Sequence, residues 1–221
     1  MSKELNKILN LIKVKNFQEA KKKCDEVKND LSKNADFLHI YGYIFFNLED
    51  YDQAIEQWTM AVNINPKFVS ALNNLGNAFS KLKKFDIATG YLDRALKLKP
   101  DLFEAYYTLS NIYFKKNMFE ESLAKINQAL KLKPDNLPSI KAKLQLFIEM
   151  NKKEESLKFL EKAIQYHPKN TELYNEKAQV LSDLGMNRQS LDTYRTILMM
   201  DPDFPFALGN IVSDKLKNCD W

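Results

Sequence analysis

Side chains able to do covalent chemistry are sparse and scattered in this 221-residue chain. The two cysteines, Cys24 and Cys219, lie far apart and match neither a metal-binding nor a redox spacing. The two histidines, His39 and His167, are too few and too distant to build a zinc site. There is no Gly-rich phosphate loop and no Ser/His/Asp or Cys/His set, and the carboxylates are spread as on solvated helix faces. The expectation is a chain that is not itself an enzyme and needs no cofactor or metal. What is abundant is the carboxamide, Asn73, Asn74, Asn77 and Asn111 among others, together with tyrosines such as Tyr43 and Tyr107 and lysines such as Lys81 and Lys115. A carboxamide donates to a carbonyl and accepts from an N–H, so several in line can hold the backbone of an extended peptide. Tyrosine rings beside them supply apolar contact for the peptide's side chains. That is binding chemistry.

The elements that must position these groups are set by a period. Pro66, Pro100, Pro134, Pro168 and Pro202 stand 34 residues apart without a slip. With Val69 as a first position the frame runs 1–34, 35–68, 69–102, 103–136, 137–170 and 171–204, followed by 205–221. Short side chains hold fixed places: Gly42, Gly76, Ser110 and Ala178 at the eighth, Ala20, Ala54, Ala88, Ser122, Ser156 and Ser190 at the twentieth, and Ala61, Ala95, Ala129 and Ala163 at the twenty-seventh. Two helices of one unit can approach closely only where side chains are short. Large residues (Phe45, Phe79, Tyr113 and Phe147; Trp58, Leu92, Ile126, Leu160 and Tyr194) fill the eleventh and twenty-fourth positions.

Apolar residues recur every three or four positions, the helical spacing. In the central unit Leu72, Leu75 and Phe79 share one face, and Ile87, Tyr91, Leu92, Ala95 and Leu98 are expected to share another. Polar turns at Glu49-Asp50, Lys83-Lys84, Asn117-Met118, Asn151-Lys152 and Gly185-Met186 break each unit into two helices, and the proline stops the second. Lys97, Lys99, Lys131 and Lys133 suit the negative end of the helix dipole, and Asp101 with Glu104 reads as an N-capping box for the following helix. Lys143 and Leu144 break the pattern in the fifth unit.

Composition narrows the function classes. Net charge is +4 from 33 basic and 29 acidic residues, interspersed, which argues against a nucleic-acid surface. The lysine- and asparagine-punctuated N-terminus is unlike a signal peptide, and the most apolar stretch, 37–48, is too short to span a bilayer. A cytoplasmic protein without membrane or nucleic-acid partners is expected.

These positions carry the tetratricopeptide-repeat pattern, so the chain resembles that family over essentially its whole length, most closely over 35–136. The resemblance implies an all-α, right-handed superhelical solenoid of six helix-turn-helix units (1–204) plus a C-terminal helix at 205–221. In that family the first helix of each unit lines a concave groove. Carried over, the lining includes His39, Tyr43, Phe46, Asn47, Asn73, Asn74, Asn77, Lys81, Tyr107, Asn111, Phe114 and Lys115, continuing through Lys141, Gln145, Asn175, Glu176 and Gln179. The candidate peptide-binding set is Tyr43, Asn73, Asn74, Asn77, Lys81, Tyr107, Asn111 and Lys115. Members that grip a C-terminal carboxylate place Lys and Asn, then Asn, then Lys and Arg on three consecutive units. Thr108, Pro138 and Ala142 fall where that clamp needs other residues.

The ending Cys219-Asp220-Trp221 resembles the junction between repeats and catalytic domain in O-linked N-acetylglucosamine transferase-like, SPINDLY-type glycosyltransferases. That family's ladder, Asn at each sixth position, is met by Asn6, Asn74 and Asn210 and not by Ile40, Thr108, Ala142 or Glu176. Two function classes follow: a scaffold that binds a protein or extended peptide in its groove, or the substrate-recognition arm of a larger transferase. Self-association into a homo-oligomer through the ends or the convex face is a third option.

Overall fold

The computed structural model describes residues 3–205 and 209. Among these residues every regular element is an α-helix: α1 (Lys3–Lys13), α2 (Phe17–Leu31), α3 (Ala35–Asn47), α4 (Tyr51–Ile64), α5 (Val69–Lys81), α6 (Phe85–Leu98), α7 (Phe103–Lys115), α8 (Phe119–Leu132), α9 (Leu137–Glu149), α10 (Lys153–Tyr166), α11 (Thr171–Asp183) and α12 (Asn187–Met200). No described helix is long and apolar enough to cross a membrane. The 34-residue repeats fall into two larger compact units, the first unit Met1–Lys116 and the second unit Asn117–Trp221. The helix expected over 205–221 and the Cys219-Asp220-Trp221 ending lie outside the described residues, save Pro205 and Gly209.

One turn recurs at every hairpin. Lys15, Glu49, Lys83, Asn117, Asn151 and Gly185, spaced 34 apart, all have positive φ, between 52° and 75°. Each follows a first helix, and at Lys15, Glu49, Lys83, Asn151 and Gly185 the paired bonds of a Schellman motif close it. At the second turn Asp50 N–H donates to Phe45 O at 3.0 Å and Glu49 N–H to Phe46 O at 3.1 Å; at the third, Lys84 donates to Phe79 O at 2.9 Å and Lys83 to Ser80 O at 3.1 Å. Five of the six positions carry a side chain in the left-handed region, where glycine is the cheap choice.

Small residues set the close approaches. In the first unit, a Cβ on Gly42 would stand 2.5 Å from Trp58 Nε1, and one on Gly76 2.5 Å from Leu92 Cγ. Trp58 therefore lies flat against α3, and its indole N–H donates to His39 O at 3.0 Å. Ala54, Ala61, Ala88 and Ala95 are buried in the same seams. In the second unit Ser122, Ser156 and Ser190 take the twentieth position and are buried, and Ser190 Oγ donates to Ala178 O at 2.9 Å.

Two local expectations are corrected. The buried stripe of α6 is Ala88, Leu92 and Ala95; Ile87 and Leu98 are 48% and 43% exposed, because three- and four-residue spacing alone does not fix which side of the helix meets a neighbour. Asp101 is also no cap. Helix α7 starts at Phe103 with Leu102 as its N-cap and no side-chain cap bond. The residues that do cap first helices are Asn34, Asn136 and Asn170, whose side chains accept from Phe37 N, Ser139 N and Leu173 N. All three occupy the last position of the preceding unit.

The irregular fifth repeat, 137–170, has its own solution. With Leu144 in the small-residue place, α9 and α10 approach less closely than α3 and α4 do. Lys143 enters the seam, its Nζ 4.3 Å from the centroid of Phe159 and 5.4 Å from that of Phe147. Burial, then the nearby charge of Lys162, lowers the Lys143 pKa, and the two ring faces offset part of that desolvation.

Candidate functional site

The candidate residues of the first unit lie on α3, α5 and α7, the first helices of successive repeats, and α5 packs against both of the others. Their side chains divide into those already engaged and those left open.

Asn74 is engaged. Its Nδ2 lies 3.0 Å from His39 Nε2, joining α5 to α3. The His39 ring packs on Phe68, centroids 4.9 Å apart, and burial lowers its pKa against the raising effect of Asp36. A neutral imidazole accepting at Nε2 from the Asn74 amide satisfies both groups. Sequence inspection placed both residues in the groove but offered no sign of this tie, since they stand 35 apart. Phe46 is likewise turned inward, 5.7 Å from Trp58 and 5.3 Å from Tyr51 by ring centroids.

The others are open. Tyr43 is 40% exposed, with its ring edge-on to Phe17 at 6.2 Å, and Asn47 Nδ2 donates to Tyr43 O at 2.7 Å. Tyr107 is half-buried and stacked on Phe103 at 6.1 Å. Asn77 and Asn111 are half-buried and make no hydrogen bond to any described residue. Asn73 Oδ1 is enclosed and accepts from nothing. Lys81 and Lys115 are exposed in the last turns of α5 and α7 and form no ion pair with a described residue.

Elsewhere in the first unit the polar contacts are structural. Asp25 accepts from the Tyr41 hydroxyl and from Lys21 Nζ, the latter at 2.9 Å, so α2 is tied to α3. Burial opposes the Asp25 charge, but these two donors hold its pKa below the usual value. Cys24 is buried and its thiol is pushed up to about 12 by burial, so it is an inert core group. No group of three or more His, Cys, Asp or Glu side chains placed to hold a metal occurs among the described residues.

In the second unit a cleft of about 410 Å³ opens between α9 and α11, lined by Lys141, Gln145, Glu172, Asn175, Glu176 and Phe204 among others.

A model described as TPR repeat matches residues 42–83, and models described as tetratricopeptide repeat match 69–102, 103–136, 142–170 and 171–204. No curated protein matches the chain by sequence. Among solved structures, the chain is similar to MamA protein (17% identity, TM-score 0.68, covering 77% of this chain and 93% of that one). It is also similar to a tetratricopeptide repeat protein from Parabacteroides merdae (15% identity, TM-score 0.68, 98% and 86%). A third is YrrB, described as a TPR protein with an unusual peptide-binding site (12% identity, TM-score 0.65, 84% and 95%). At such identities the likeness concerns the fold.

Proposed function

The chain belongs to the tetratricopeptide-repeat family, and on that premise we propose that its first unit binds an extended peptide, or an extended segment of a protein, along the face formed by α3, α5 and α7. The observation that carries this reading is the state of the amides. Asn73 Oδ1 is enclosed without a donor, and a buried acceptor left unpaired costs about 1–3 kcal/mol. A peptide N–H can serve as that donor once the Asn73 side chain turns toward the groove, and Asn77 and Asn111, four residues on and one repeat further, hold free donor and acceptor groups for the next peptide bonds. Tyr43 and Tyr107 flank the amides with apolar surface, and Lys81 and Lys115 add cationic ends. YrrB, by its description, binds peptide on the same fold, which supports a groove-binding reading without naming a ligand. The transferase-arm reading rests on Cys219–Trp221 alone.

The test starts from an array of random-sequence dodecapeptides probed with the full chain, followed by titration of a selected peptide by fluorescence anisotropy. Asn73→Ala, Asn77→Ala and Asn111→Ala together remove three sets of neutral hydrogen bonds at about 0.5–1.5 kcal/mol each, so affinity should fall at least tenfold. Unaltered affinity in a variant that keeps its helical signal would remove the amides from the account.

A further inference from the structure

We propose that the cleft between α9 and α11 is a receptor for one arginine side chain presented by a partner protein or peptide, with the Glu176 carboxylate as its counter-ion. The cleft, about 410 Å³, is of the size of small-molecule sites, which run from about 300 to 1,000 Å³. Its charges do not balance internally. Lys141 is paired with Glu172, leaving Glu176 half-buried with no ion-pair partner among the described residues. Burial raises the Glu176 pKa in spite of the nearby Lys141, which marks a carboxylate short of compensating charge. Two carboxylates and one ammonium leave a single negative charge, and one incoming cation brings the site to neutrality.

The uncharged walls favour the same occupant. Gln145 Nε2 donates to Glu149 Oε1 at 2.8 Å, which leaves the Gln145 carbonyl oxygen as a free acceptor at the cleft. Asn175 makes no hydrogen bond to a described residue, so its oxygen is a further acceptor. Phe204 supplies an aromatic wall on which a planar guanidinium stacks. An acceptor-rich, apolar-walled cleft with one surplus negative charge suits the five forked donors of arginine better than the compact, strongly hydrated head of lysine. This site is independent of the amide face: it lies within the second unit, and either can fail without the other.

The experiment uses the full isotope-labelled chain titrated with N-acetyl-arginine amide, followed by nuclear magnetic resonance. Saturable shifts should concentrate on residues of α9 and α11. N-acetyl-citrulline amide, the neutral isostere, should bind weaker by roughly tenfold or more, because a charge-assisted hydrogen bond is about twice as strong as a neutral one. Glu176→Gln should produce the same loss. The citrulline arm uses the unaltered chain, so it stands even if the variant folds poorly. Shifts scattered over other surface carboxylates, equal binding of citrulline, tighter binding of N-acetyl-lysine amide, or an unaffected Glu176→Gln variant would each overturn the assignment.

Discussion

Two glycines in neighbouring helices of the first unit should respond to the same substitution with opposite sign. Gly76 sits in α5 against α6; a methyl group there would lie 2.5 Å from Leu92 Cγ, 2.7 Å from Leu92 Cδ2 and 3.2 Å from the Ala88 carbonyl oxygen. Gly90 sits within α6 and a Cβ there meets nothing within 4 Å. Both changes to alanine gain about 1 kcal/mol of helix propensity. At Gly90 nothing opposes that gain, so Gly90→Ala should stabilise by about 0.5–1 kcal/mol. At Gly76 the Leu92 branch point is buried, with Ala88 and Ala95 beside it, so relief requires the hairpin to open. Overpacking of this kind costs about 1–3 kcal/mol, leaving Gly76→Ala destabilised by up to about 2 kcal/mol, and Gly76→Leu by more. Urea unfolding followed by circular dichroism reads both. The double variant Gly76→Ala with Leu92→Ala supplies a further check: the new methyl partly fills the cavity left by the lost leucine, so the two changes should be less than additive. If Gly76→Ala stabilised the chain as Gly90→Ala does, the seam would lie elsewhere and the placement of the α5 face would fall with it.

Three further outcomes are expected. Lys83→Gly, at φ 59°, should raise the urea midpoint by relieving about 1 kcal/mol of left-handed strain, whereas Lys84→Gly, one residue on at φ −84°, should not. His39 has a lowered pKa, so folding disfavours its charged form. The stability this residue contributes is complete above its ordinary value of about 6.5 and is lost as pH falls below that, and the difference between the wild type and His39→Gln in urea midpoint should narrow or reverse between neutral and mildly acidic pH. Glu176 has a raised pKa, so its charged form is the penalised one and stability is lost as pH rises through its titration; Glu176→Gln should therefore be more stable than wild type near neutral pH, measured in the same assay.

The hairpins were legible because a period of 34 repeats the same packing problem, and glycine, alanine and serine at the eighth, twentieth and twenty-seventh positions are its solution. Turn chemistry was less so. Left-handed residues are ordinarily announced by glycine, and only Gly185 does so here; Lys15, Glu49, Lys83 and Asn151 hold the same conformation because the Schellman bonds and the packed helices on either side impose it, and Asn117 shares their φ. Asn34, Asn136 and Asn170 were readable as caps, being asparagines at one register position just before a helix, but Asp101 and Glu104 matched the capping pattern and drew attention one boundary away. The amide face was legible residue by residue, while its division into engaged and open groups was not. Nothing local distinguishes Asn74, bound to His39 from the repeat before, from Asn73 and Asn77 on either side of it.

That division is where stability and binding part company. Asn74 and His39 satisfy one another, and the pair joins two helices. Asn73 Oδ1 in the first unit and the Glu176 carboxylate in the second do the opposite: each is withdrawn from water without receiving a partner in return. A sequence shaped for stability alone would replace them, since exchanging an unpaired buried polar group for an apolar one of similar shape is neutral or favourable. Their presence on first helices, with open amides beside each, is what a surface shaped by a ligand would keep, because a ligand that supplies the missing donor or cation recovers at binding what folding left unrecovered. The stabilisation expected of Glu176→Gln and the arginine affinity it should forfeit are therefore two readings of the same uncompensated charge, and they should appear together or not at all.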